Sequence, residues 1–205
     1  YGYGYGYGQK APTVASTAKA VTRAARVRKR ASEGDVQIEL LPHLRPRLAV
    51  AEAYRNLRTA RLLSSARQLK VIVVTSAVPS EGKTSTAGNL AVVLAQLGKK
   101  VLLVDGDLRK PRQHEVFHAT NKVGLVSFLT HTTEADKIVF RCDIENLYLT
   151  PSGPIPPNPS ELLSSERMGE FLKFVRSQFD IVIIDSAPTL AVTDGILIGA
   201  QSDGV

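Results

Sequence analysis

The stretch "SAVPSEGKTSTAGNLA", residues 76–91, carries the residues best equipped for chemistry. It follows the apolar run "KVIVVT" and leads into helix-forming residues. Unpaired N–H groups at the start of such a helix, on the positive end of its dipole, attract phosphate oxygens. Gly82 permits close approach, Lys83 brings a charge to the outer phosphates, and the Thr84 hydroxyl is a ligand for Mg²⁺. The common loop opens with a glycine five residues before Gly82; here that position is Ala77, and Pro79 lies inside the loop. Two further stretches add carboxylates. "VLLVDGDLRKP" places Asp105 and Asp107 at the C-terminal end of one apolar run, and "IVIIDSAP" places Asp185 at the end of another. Any one of these aspartates is equally explained as a cap of the element that follows. Three together, at the sheet edge where open α/β folds take ligands, repel one another unless a cation is present. The combination reads as a Mg²⁺–nucleotide site.

Strands are expected over "KVIVVT" (70–75), "KVLLVD" (100–105), "NLYLT" (146–150) and "DIVIID" (180–185). The first, second and fourth are apolar on both faces, as a parallel sheet covered by helices requires. Helices are expected over 83–96, stopped at Gly98, and over "SERMGEFLKFVRSQF", where Met168, Phe171, Leu172 and Val175 mark one face. "LAVAEAYRNLRTARLLSSA" (48–66) also reads as a helix, with Leu48, Ala51, Tyr54, Leu57, Leu62 and Leu63 as its apolar stripe. Strands alternating with helices predict an α/β fold: a doubly wound, mostly parallel sheet with helices on both faces. "GILIGAQSDGV" reads as the approach to another strand, so the domain is expected to lack its C-terminal strand and tail.

With 205 residues the chain is long enough for one substantial α/β domain. "YGYGYGYGQ" and the Ala/Thr/Lys/Arg-rich stretch behind it cannot bury enough apolar surface to offset chain entropy. Residues 1–35 are therefore expected to be disordered and 36–205 to form the domain. Seven cations against Glu33 put +6 of the formal +7 into the first 34 residues, so the basicity belongs to a tail. Nucleic acid is not an expected partner, because the folded part is nearly neutral. The single cysteine, Cys142, excludes an internal disulfide and reads as a small core residue. No apolar run is long enough to span a bilayer and no secretory h-region opens the chain, which points to the cytoplasm. His114 and His118 have the spacing of a metal pair but lack a third ligand.

Taken together, "AVPSEGKT", "VLLVDGDLRKP" and "IVIIDSAP" resemble the Walker A, Walker A′ and Walker B motifs of the bacterial tyrosine kinases of capsule and exopolysaccharide loci. "EAYRNLR" matches that family's E-x-x-R-x-x-R segment, and "GPIPPNPSELLSS" the segment before its Walker B helix. The resemblance covers about residues 36–205 and implies a P-loop NTPase fold and ATP-dependent autophosphorylation on tyrosine. It implies that Lys83 holds the β- and γ-phosphates while Ser80, Glu81, Gly82 and Ser85 contribute loop contacts. Thr84 and Asp107 would bind Mg²⁺, Asp185 would contact it through water, and Asp105 would help deprotonate the phenol. Arg109 and Lys110 are either aids to transferred charge or members of structural ion pairs. Glu52, Arg55 and Arg58 lie in the family at the interface of a ring-shaped homo-oligomer; by themselves they read as a solvated helix face.

The related partitioning and division-site ATPases share the motif order, but their loop carries a lysine where this chain has Val78. A regulator that binds ATP without transferring it is a third reading. Four of the six tyrosines, Tyr1, Tyr3, Tyr5 and Tyr7, resemble the family's phosphoacceptor cluster, although that cluster usually lies at the C-terminus. Either the cluster has moved, or these residues belong to something preceding the domain, or they are not native to it; glycine–tyrosine repeats also occur in adhesive tails. Tyr54 and Tyr148 read as core residues. The resemblance further implies a transmembrane polysaccharide co-polymerase as activator, a tyrosine phosphatase, and a position at the inner face of the membrane. The basic tail suits an anionic leaflet, each charge being worth about 1 kcal/mol near the surface.

Overall fold

The computed structural model describes residues 38–63 and 69–205, without the side chain of Leu62. The readings made for residues 1–35, including Tyr1, Tyr3, Tyr5 and Tyr7, lie outside the described residues, as does the boundary at residue 36.

Strands β1 (Val71–Val74), β2 (Val101–Asp105), β3 (Phe140–Arg141), β4 (Leu147–Thr150) and β5 (Ile181–Asp185) form one sheet in the order β1-β5-β2-β4-β3. Only β3 runs antiparallel to its neighbour. The helices are α1 (Leu41–Leu44), α2 (Ala49–Leu63), α3 (Lys83–Ala95), α4 (Gln113–Val116), α5 (Leu125–Leu129), α6 (Pro159–Leu163), α7 (Glu166–Gln178) and α8 (Asp194–Gly199). They cover both faces of the sheet. Along β2 and β5 every residue is buried, and the two-residue period divides them. Leu102, Val104, Val182 and Ile184 pack with Phe128 of α5 and Phe171 of α7, whereas Val101, Leu103, Ile181 and Ile183 pack against α3. Each such aliphatic side chain contributes about 1.5–3 kcal/mol by leaving water.

Two expectations need correction. β1 is not buried on both faces: Val71 and Val73 are, but Ile72 and Val74 are half-buried. It lies outside β5, where the α3 layer covers it only in part; beyond it Gly204 bridges in parallel to Ile72. The apolar stripe assigned to α2 is also wrong at Leu48, Leu57 and Leu63. Ala51 is buried and Tyr54 half-buried, and Arg58 Nη1 donates to the Val93 carbonyl of α3 at 3.2 Å. Leu57 and Leu63 are 45% and 81% exposed, and Leu48 is exposed as well. The inward face of α2 thus runs through positions 51, 54 and 58, one helical stripe over from the leucines.

The other long elements match their reading. α3 is buried nearly all round, between the sheet and the α1–α2 segment. α7 is capped by Ser165, whose hydroxyl accepts from Met168 N at 3.3 Å, and buries Met168, Phe171, Leu172 and Val175. The helices α4, α5, α6 and α8 were not anticipated: at four to six residues they show no measurable period.

Candidate active site

The sheet register sets the carboxylates. Asp105 and Asp185 are Cα partners at the ends of β2 and β5, each two residues beyond a side chain that packs on α3. Both therefore point to the α3 side. Gly106 keeps the chain close as it leaves β2: its N–H donates to the Asp185 carbonyl at 2.7 Å, and a Cβ there would lie 2.8 Å from Ile184 Cγ2. The chain then turns back and brings Asp107 to the same side.

The loop before α3 is built on left-handed backbone at Ser80 (φ 68°) and Gly82 (φ 88°). A Cβ at Gly82 would meet no protein atom within 4 Å, so glycine is required there for its φ. Glu81 Oε2 accepts from Ala77 N and Val78 N at 2.9 and 3.1 Å and closes the loop on itself. Thr189 N and Leu190 N, after β5, donate to the carbonyls of Ser76 and Ala77. The helical ladder of α3 starts with Thr86 N donating to Gly82 O at 2.8 Å. The N–H groups of residues 83–85 precede that ladder and are the orphan donors of a helix start.

Lys83 stands among the acids. Its Nζ is 2.8 Å from Asp107 Oδ2 and 3.9 Å from Asp185 Oδ1, and it donates to Thr84 Oγ1 at 3.5 Å. Asp107 Oδ1 accepts from Lys110 N at 3.0 Å and Arg109 N at 3.3 Å. Asp105 Oδ2 accepts from Arg112 N at 3.0 Å and Gln113 N at 2.9 Å. Gln113 Nε2 donates to Asp185 Oδ2 at 3.0 Å and to the Thr84 carbonyl at 3.1 Å. A cavity of about 430 Å³ opens above this cluster, lined by Ser80, Gly82, Lys83, Thr84, Ser85 and Asp107. Arg109, Lys110 and Arg112 form a basic rim, and Pro79, Ala187, Pro188, Ala191 and Val192 an apolar one. Asp105 and Asp185 are fully buried and do not line the cavity.

Burial pushes the Asp185 carboxyl up to about 6, against the pull of Lys83, and raises Asp105 well above the usual carboxylate range with help from the Asp185 charge. The sign follows: a folded-state pKa above the unfolded one means that stability falls as pH rises through the interval between them. In the nucleotide-free protein, Asp185→Asn is expected to melt higher than the parent at pH 8, by on the order of 2–3 kcal/mol. The gain should vanish near pH 4, where the parent is protonated too. Thermal melts from pH 4 to 8 check this.

The donor set suits Mg²⁺. Thr84, Asp107 and Asp185 offer hard oxygens, and Asp185 Oδ1 is buried without a hydrogen bond among the described residues. No three His, Cys, Asp or Glu side chains among the described residues enclose a metal by themselves. Mg²⁺ commonly binds through one or two carboxylates and completes its shell with water and substrate phosphates. Among the described residues, no third His, Cys, Asp or Glu joins His114 and His118.

Arg109 is held in an ion pair: Nε donates to Asp194 Oδ2 at 2.7 Å and Nη2 to Asp194 Oδ1 at 3.2 Å. Ser160 Oγ also donates to Asp194 Oδ1, at 2.7 Å. Glu52, Arg55 and Arg58 lie away from the cavity on α2; Arg55 Nη1 pairs with Glu52 Oε2 at 2.6 Å and Nη2 donates to the Pro46 carbonyl. Sequence reasoning missed Gln113, Ser160 and Asp194. The only signal for Gln113 was its place in the segment that follows Asp107.

A family model described as an AAA domain matches residues 69–203. The chain is 45% identical over 170 residues to tyrosine-protein kinase YwqD of Bacillus subtilis (strain 168), covering 82% of this chain and 72% of that one. It is 42% identical over 167 residues to tyrosine-protein kinase wzc of Salmonella typhimurium (strain LT2), with 81% of this chain matched but only 23% of that protein. The kinase domain of the Escherichia coli tyrosine kinase ETK superposes with a TM-score of 0.76 at 34% identity, over 80% of this chain and 64% of that domain. The sheet is that of a P-loop NTPase, a nucleotide-binding fold, and the loop, the paired carboxylates and the overall likeness lead to one conclusion: the chain belongs to the bacterial tyrosine-protein kinases.

Proposed function

We propose that this chain is an ATP-dependent tyrosine autokinase that regulates polymerisation and export of a capsular or extracellular polysaccharide. The observation that carries the reading is the position of Lys83 Nζ, at the start of α3 and between Asp107 and Asp185. In the bound state the Lys83 ammonium moves from carboxylate to phosphate oxygens, and the N–H groups of residues 83–85 hold the same phosphates. Thr84 and Asp107, with Asp185 acting through water, would hold Mg²⁺, which would supply charge to balance the transferring phosphoryl group. Glu81 keeps the loop closed by holding the Ala77 and Val78 amides. Asp105, made more basic by burial, helps to draw off the phenolic proton through an intervening water, since it does not line the cavity; its Oδ1 makes no hydrogen bond among the described residues.

Tyr1, Tyr3, Tyr5 and Tyr7, each followed by a glycine, are the proposed acceptors. The exposed leucines of α2, beside Glu52, Arg55 and Arg58, support assembly of several copies, so that one copy's tyrosines reach another's cavity. A membrane co-polymerase as activator, a tyrosine phosphatase and a place at the inner membrane face complete the proposal. No helix among the described residues is long and apolar enough to cross a membrane; the proposed membrane contact is through that partner. Val78, 44% exposed, stands where a partitioning ATPase places its lysine and argues against that reading.

The test is incubation with Mg-ATP followed by phosphopeptide mapping. Phosphate is expected on the peptide holding Tyr1 to Tyr7. ATP hydrolysis without phosphotyrosine, even with the activator's cytoplasmic segment added, would favour the partitioning type.

A further inference from the structure

Gln113 is buried to 0% exposure, yet it touches all three motifs that carry the chemistry. Its backbone N–H holds Asp105 Oδ2 at 2.9 Å. Its side-chain amide spends one N–H on Asp185 Oδ2, at 3.0 Å, and the other on the Thr84 carbonyl, at 3.1 Å. A planar amide has a fixed width, so these two bonds set the spacing between the end of β5 and the first turn of α3. With Oδ2 taken by Gln113, the other Asp185 oxygen is the one turned to Lys83, 3.9 Å away. The choice of a neutral donor matters. A lysine or arginine here would neutralise Asp185, and a carboxylate would repel it, whereas an amide orients the acid and leaves its charge intact.

We infer that Gln113 is a positioning residue: it aims the Asp185 carboxylate at the metal–phosphate position and locks it to the loop that holds the nucleotide. The inference rests on the proposed kinase site, but it concerns Asp185 orientation and is tested by binding as well as by turnover. Residues in this relation to metal-binding groups are typically worth about 10- to 100-fold in metal affinity or activity.

The experiment uses the full chain and two variants. Gln113→Met keeps the length and removes both donors; Gln113→Asn keeps the amide but is one methylene too short to reach both acceptors. ADP affinity is measured by calorimetry with and without Mg²⁺, alongside autophosphorylation. Both variants are expected to bind ADP without Mg²⁺ within about threefold of the parent, while the affinity gained on adding Mg²⁺ shrinks about tenfold or more. Phosphotyrosine formation should fall by a similar or larger factor, with the apparent KM for Mg-ATP raised in step with the lost Mg²⁺-dependent affinity. A parent-like Mg²⁺ gain in either folded variant overturns the inference. So does an equal loss of ADP affinity with and without Mg²⁺, which is the pattern of general damage. Should Gln113→Met fail to fold, Gln113→Asn decides alone. If the parent makes no phosphotyrosine even with the activator's cytoplasmic segment added, but the Mg²⁺ gain still collapses in the variants, the kinase reading fails and the role of Gln113 stands.

Discussion

Replacing Lys83 by methionine is expected to reduce phosphotyrosine formation on the order of 10³-fold, the scale of removing one preorganised charge-stabilising donor from a transferring group. The residue is unusual in having two duties. In the nucleotide-free protein its ammonium offsets Asp107 at 2.8 Å and Asp185 at 3.9 Å, with Asp105 beside them in the sheet. Without it, three buried carboxylates face one another and take up protons instead of a cation. The folded-state pKa values of Asp105 and Asp185 then rise further above the unfolded ones, so stability is lost as pH increases through that interval. The melting difference between parent and Lys83→Met should therefore be small at pH 5 and large at pH 8. Adding Asp107→Asn to Lys83→Met is expected to recover much of the stability and none of the phosphotyrosine. Circular dichroism melts and antiphosphotyrosine detection separate the two duties. Recovery of activity in the double variant would show that Lys83 acts only on the fold.

Arg109→Ala is expected to cost about 2–3 kcal/mol of stability, a reduced value for breaking a buried ion pair because the arginine side chain is 39% exposed. Asp194 is fully buried, so removing Arg109 leaves an acid with Ser160 as its remaining side-chain donor. The Arg109 guanidinium and the Ser160 hydroxyl hold the Asp194 carboxyl below its usual range despite its burial. Its contribution is thus present above the unfolded pKa and is lost as pH falls through the folded one. In Arg109→Ala the sign reverses, and melts at pH 5 and pH 8 should show the variant relatively better at pH 5. Asp194→Asn, which keeps the shape and an acceptor for Arg109, should cost less than Arg109→Ala. This pair joins the segment after β2 to α6 and α8, so its loss also loosens the basic rim of the cavity. Urea denaturation at the two pH values gives the measurement.

These cases mark how far the residues could be read in order. The apolar runs of β2 and β5, the loop between β1 and α3, and the buried face of α7 were legible because each is a local pattern: a period, a cap or a turn within a dozen residues. Asp105, Asp107 and Asp185 were legible as a group because parallel strands deliver their C-terminal ends to one edge whatever their order. The α2 stripe failed because leucines on a helix mark an apolar surface without saying which neighbour covers it.

The sequence by itself determined the fold class, the phosphate loop and the edge at which the acids gather. Only the tertiary structure decided which partner each charge found. Arg109 was open between a transferred phosphate and an ion pair until packing set it against Asp194, 85 positions along the chain. Gln113 carried no local signature beyond its place after Asp107, since its two side-chain acceptors come from α3 and β5, 29 and 72 positions away. Backbone pattern is written in neighbouring residues, but the pairing of buried polar groups is set by distances in space that exist only after the sheet and its helices have closed.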